Sequence, residues 1–104
     1  MASNDDIKKS IKEDLNCVGW ELKDGKLIKL FQFPSFARAI DFVNEIAVIA
    51  ERLDHHPIIT VNWKTVKLAL KSFDVDAITQ RDIALAKEIE RSKQTANKKN
   101  DNRI

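Results

Sequence analysis

The chain has 104 residues, with 18 Lys and Arg against 16 Asp and Glu, a formal net charge of +2, one Cys, two Gly, two Pro and two His. That length fits one domain burying roughly two thirds of its unfolded surface rather than a multidomain enzyme, and the lone Cys17 excludes an internal disulfide framework and a thiolate zinc module. With 43% hydrophobic and 33% charged residues, no signal-peptide pattern after Met1 and no apolar run near the roughly 20 residues that cross a bilayer, a soluble, cytoplasmic protein without membrane partners is expected.

Ile7, Ile11 and Leu15 recur at four-residue spacing behind Ser3 and Asn4, which predicts a short amphipathic helix ending near Asn16. Trp20 to Lys23 alternates, Asp24-Gly25 is a tight hairpin signal, and Lys26 to Phe33 continues as a β-rich run. Pro34 stops that strand, and Ser35 is placed to cap the next helix. From Phe36 to Leu53 there is no Pro or Gly. Phe36, Ile40, Val43, Ala47 and Ala50 form one apolar row there, and Ala39, Phe42, Ile46, Ile49 and Leu53 form a second. Two rows cover more of the circumference than one packing surface needs, so the helix is expected to have two partners: its own sheet, and either a deeper groove in the same chain or a second subunit.

Asp54-His55-His56-Pro57 breaks the helical period. Ile59, Val61 and Trp63, then Val66, Leu68 and Leu70, alternate with other residues on either side of Lys64-Thr65, predicting a second hairpin that turns there. Thr79 and Asp82 have capping-box spacing at the start of a last helix that is expected to run to about Arg91. The order α-β-β-α-β-β-α describes an α+β domain with a four-stranded antiparallel sheet covered by helices on one face. From Arg91 onward five basic side chains face only Asp101, a local charge of +4, so residues 1–92 are read as the domain and 93–104 as a basic, disordered tail. That tail has no aromatic residue for base stacking, which makes nucleic acid the weakest partner reading.

The two histidines, His55 and His56, stand together after Glu51 and Asp54. Imidazole exchanges protons near neutral pH, so a His pair beside carboxylates suits general acid-base work. The competing role is structural: a histidine capping helix carbonyls and balancing the dipole. Metal binding is weaker, because neighbouring residues seldom aim both rings at one ion. Trp20 and Trp63 fall in alternating strands and read as core. Capping explains Asp82 as well as a site does, Arg81 as well by solvation, and Gly19 and Gly25 stand too far apart for a phosphate loop.

Taken together, Glu51, His55-His56-Pro57, Trp63 and Asp82, with Leu53-Asp54 and Arg81-Asp82-Ile83 around them, resemble the pattern of the pterin-4a-carbinolamine dehydratase family. The resemblance runs from Gly19-Trp20 through Asp82 and into the last helix. It departs from the pattern at Phe73, where the family usually has a third active-site histidine, at Ile58 and Ile59, where an acidic residue and a Trp often follow His-His-Pro, and at Ala77, where a Gly is common. The resemblance implies dehydration of 4a-hydroxytetrahydropterin to quinonoid dihydropterin in tetrahydrobiopterin recycling, with no metal and no cofactor. It implies His55 as the principal acid-base residue and His56 as a substrate-binding residue assisting transfer, with Glu51 and Asp54 orienting the imidazoles and favouring their protonated forms. Lys71, Ser72, Phe73 and Asp74 match a substrate-contacting segment, and Arg81 and Asp82 would support the site. A homodimer or homotetramer through the central helix is implied too. Because Phe73 cannot transfer a proton, reduced or altered activity is expected, and the alternative is a pterin-binding or interaction module that has lost the reaction.

Overall fold

A computed structural model describes residues 19–101, with side chains as far as residue 93; the helix predicted before Asn16 lies outside the described residues. Asp24 and Gly25 take φ of 54° and 73°, the paired positive values that suit a two-residue turn between right-twisted strands. Strand β1 (Glu21–Lys23) therefore folds back on β2 (Lys26–Gln32), with Lys23 opposite Lys26. Ser35 then caps helix α1 (Phe36–Leu53), its hydroxyl accepting from the Arg38 N–H at 3.2 Å. Replacing Ser35 with Ala leaves that N–H unmatched and is expected to cost about 1 kcal/mol, read as a lower urea midpoint at unchanged slope.

Strands β3 (Ile58–Asn62) and β4 (Thr65–Leu70) complete a sheet of order β1-β2-β4-β3 in which every neighbour is antiparallel. Their turn is Trp63-Lys64, one residue earlier than the sequence reading. Thr65 pairs with Gln32 on one side and Asn62 on the other, so the central strand claims it for the ladder. Trp63 is consequently not core: it takes φ of 51° at the hairpin tip and is 67% exposed, with the Lys64 ammonium 4.3 Å from its ring centroid.

The second long helix, α2, spans Gln80–Asp101, past the end expected near Arg91. No Pro or Gly interrupts it, and Lys, Gln and Ala are good helix formers. Leu27 and Phe31 of β2 and Val66, Leu68 and Leu70 of β4 share the sheet face on which both helices lie. Phe42, Ile46 and Ile49 of α1 and Ile83, Leu85 and Ile89 of α2 close over them, giving the α+β architecture with order β-β-α-β-β-α among the described residues. Most of one apolar row of α1 thus meets the sheet, joined by Val43 and Ala50 of the other, while Phe36, Ala47 and Val48 stay exposed. The inward face of β2 also carries Lys29, whose ammonium meets Glu90 of α2 at 2.7 Å. The Trp20 indole N–H donates to the same carboxylate oxygen at 3.0 Å, so a partly buried ion pair ties α2 over β2.

Candidate active site

The end of α1 decides where the two histidines point. Asp54 adopts the left-handed conformation (φ 51°) and its N–H bonds back to the carbonyls of Ala50 and Glu51, while the His55 N–H bonds to the Ala50 carbonyl at 3.1 Å. This wraps the helix end, and Pro57 turns the chain outward into β3. The two rings diverge as a result. His55 points inward, its side chain 12% exposed, with Nε2 2.6 Å from Oδ1 of Asp82. His56 faces solvent, its Nε2 2.5 Å from Oε2 of Glu51.

Glu51 therefore meets one imidazole, as expected, but Asp54 meets neither: it serves the helix end through its backbone. The inner imidazole is oriented instead by Asp82, a residue the sequence reading placed only in support. Asp82 is fully buried. Its Oδ2 accepts from the Ser72 hydroxyl at 2.9 Å and from the Thr79 N–H at 2.9 Å. The bond from Thr79 N–H is one half of the capping box that the Thr79 to Asp82 spacing announced; the Thr79 hydroxyl oxygen accepts from the Arg81 N–H instead. The half that forms delivers a carboxylate to the N-terminus of α2 directly beneath His55, where the helix dipole favours negative charge.

The segment after β4 is a closed turn. The Ser72 N–H donates to the Ala77 carbonyl at 2.9 Å, and the Ser72 carbonyl accepts from the N–H groups of Val75 and Ala77. Ser72 is fully buried, so neither its hydroxyl nor its peptide groups face outward. Phe73 does, at 57% exposure. Lys71 pairs with Asp76 and sits with its ammonium 5.6 Å from the Phe73 ring centroid. Arg81 donates to Oδ1 of Asp74 at 2.8 Å, linking this turn to the start of α2.

Charge follows from these pairs. The hydrogen bond from Arg81 holds the Asp74 carboxyl below its ordinary value, and Asp74 in turn raises Arg81. Lys71 lowers Asp76 in the same way. A carboxylate with a lowered pKa contributes above its ordinary value and loses that contribution as pH falls through the lowered one. Both acids are exposed, so the effect is local and screened. Arg81→Gln is accordingly expected to return the Asp74 carboxyl toward 3.8, read by carboxyl ¹³C titration; an unmoved titration would show that the pair does not form in solution.

Among the described residues no three His, Cys, Asp or Glu side chains group as a metal site requires. What the arrangement offers is proton transfer: one imidazole backed by a buried carboxylate, a second imidazole at the surface on Glu51, and an exposed aromatic ring on the adjoining turn. Of the residues singled out from sequence, His55, Ser72 and Asp82 come together, His56 and Glu51 form a second pair, and Arg81 and Asp74 a third. The tie between Ser72 and Thr79, at 2.7 Å, has no sequence signal beyond the polar character of both residues.

The sequence profile of the family described as Pterin 4 alpha carbinolamine dehydratase matches residues 2–92. A Mycolicibacterium smegmatis protein named "Putative pterin-4-alpha-carbinolamine dehydratase" is 39% identical over 91 residues, 88% of this chain and 94% of that protein. A Mycobacterium avium protein of the same name is 45% identical over 71 residues, 68% of this chain and 76% of its own length. Among solved structures, a transcriptional coactivator/pterin dehydratase from Brucella melitensis superposes with a TM-score of 0.75 at 26% identity, covering 86% of this chain and 94% of that one. A pterin dehydratase-like protein, described as a RuBisCO assembly factor in the alpha-carboxysome, shares the fold with a TM-score of 0.56 at 24% identity, over 67% of this chain and 81% of its own.

Proposed function

We propose, from the premise that this chain belongs to the pterin 4 alpha carbinolamine dehydratase family, that it dehydrates a 4a-hydroxytetrahydropterin to the quinonoid dihydropterin. The observation that carries this reading is the His55 ring held 2.6 Å from a fully buried Asp82 beside the solvent-facing His56. The reaction breaks the C4a–O bond and the N5–H bond and forms a C4a=N5 double bond. The departing hydroxyl needs a proton to leave as water, and the N5 proton needs a base. No electrons enter or leave.

With Asp82 on its Nε2, His55 presents Nδ1 to a substrate, and that nitrogen exchanges the proton. His56, restrained by Glu51, binds the pterin and assists transfer. Phe73 supplies a flat apolar surface for the heterocycle but no proton. Lys71, Ser72 and Asp74 shape the turn that carries it. Exposed apolar side chains on α1, Phe36 at 51% and Val48 at 69% exposure, support a homodimer or homotetramer through that helix, and the cytoplasm is the compartment this reading assigns.

The alternative, a pterin-binding or interaction module without turnover, is favoured by Phe73 and by the wide apolar face of α1. Stopped-flow dehydration with wild type and Phe73→His separates the two. The dehydratase reading expects wild type to exceed the buffer rate and Phe73→His to gain up to about 10²-fold, the lower end for one positioned acid-base group. Pterin binding with a buffer-level rate in wild type would support the module reading.

A further inference from the structure

We propose that Ser72 and Thr79 are positioning residues that hold Asp82 in the one orientation in which it fixes the His55 ring. The kinetic part of this inference rests on the dehydratase reading; the spectroscopic part does not. A carboxylate only accepts hydrogen bonds. The single proton of Ser72 therefore goes to Asp82, since Ser72 Oγ lies 2.9 Å from Oδ2. The 2.7 Å contact between Ser72 and Thr79 must then be filled by the Thr79 proton. Thr79 Oγ1 in turn accepts from the Arg81 N–H at 3.2 Å. Each hydroxyl has one orientation, and all donate toward the carboxylate.

Two donors on Oδ2, from Ser72 and from the Thr79 backbone, prevent the carboxylate from rotating about its own axis. Oδ1 is left facing His55, where only a protonated Nε2 fits. His55 is thereby restricted to the ring orientation that turns Nδ1 outward. A satisfied network of buried polar groups is stiffer than its separate bonds, because each bond polarises the next. Ser72 also closes the turn that bears Phe73. The same residue thus ties the wall of the site to its inner imidazole. A role confined to capping α2 would require Thr79 and Asp82 but not the buried Ser72 hydroxyl.

The test compares wild type, Ser72→Ala, Thr79→Val and Thr79→Ser by ring ¹H–¹⁵N spectra and by steady-state kinetics. In wild type the His55 Nε2 proton is expected far downfield and protected from exchange, unlike that of His56. Ser72→Ala moves it upfield and speeds its exchange. It also lowers kcat about three- to tenfold, the ratio that one ordinary net hydrogen bond represents, with KM within about twofold. Thr79→Val keeps the backbone N–H and the side-chain volume and shifts the resonance the same way by less; Thr79→Ser restores it. A folded Ser72→Ala protein with an unmoved resonance would overturn the proposal. So would a Thr79→Val protein that loses stability while the His55 resonance stays in place. A wild type with no dehydratase activity removes the kinetic arm and the dehydratase reading together, and the ring spectra then decide the positioning role alone.

Discussion

Replacing His55 with Ala is expected to lower the dehydration rate by about 10²- to 10⁴-fold, the usual contribution of a positioned general acid-base group. The size of the effect comes from the asymmetry of the two histidines. His55 is mostly buried on a carboxylate that water does not reach, so its orientation is set before substrate arrives. His56 and Glu51 are 56% and 77% exposed, and solvent competes for both partners. His56→Ala should therefore act more on KM than on kcat. Equal losses of kcat in the two single variants would mean that the buried carboxylate confers no advantage on His55.

Asp82→Ala has the largest expected effect on the fold. The side chain is fully buried and meets three donors, from His55, Ser72 and Thr79. Its removal leaves a hydroxyl, a backbone N–H and an imidazole without their acceptor at a fully buried position. Each unmatched buried group costs about 1–3 kcal/mol, and breaking a buried pair from one side costs about 3–5 kcal/mol. We expect about 3–5 kcal/mol, a large share of the about 5–15 kcal/mol by which small domains are stable. Urea denaturation measures it. Asp82→Asn keeps the shape and should lose less stability than Asp82→Ala, yet its amide must choose between donating and accepting at the same neighbours, so activity should still fall. A loss of stability below about 1 kcal/mol in Asp82→Ala would show that these bonds are not formed together in solution.

Local signals were the ones that could be read before the structure. The Asp24-Gly25 turn, the Ser35 cap and the bounds of α1 depend on residues within a few positions of one another, and each occurs as expected. The order of strands and the single helical face follow from alternation that places Leu27, Phe31, Val66, Leu68 and Leu70 on one side. Trp63 misled because alternation cannot report where a ladder ends: pairing of Thr65 with both neighbours moved the turn back by one residue. The end of α2 misled because polar composition signals the loss of an apolar face, not the loss of helix propensity, which Lys, Gln and Ala retain. At the site, adjacency of His55 and His56 suggested a matched pair, whereas the αL turn at Asp54 sends the rings to different environments. Asp54 was the nearer carboxylate in sequence, but Asp82 is the one that reaches His55, because α2 begins beneath the end of α1.

On the proposed reading, His55, set by Asp82, gives this chain dehydratase chemistry despite Phe73. The most direct measurement is the loss of 4a-hydroxytetrahydropterin at neutral pH, followed with wild type and with His55→Ala against buffer. Wild type is expected to run well above buffer, and His55→Ala to lose most of that rate. A wild-type rate equal to buffer, with Phe73→His alone gaining activity, would contradict the dehydratase reading.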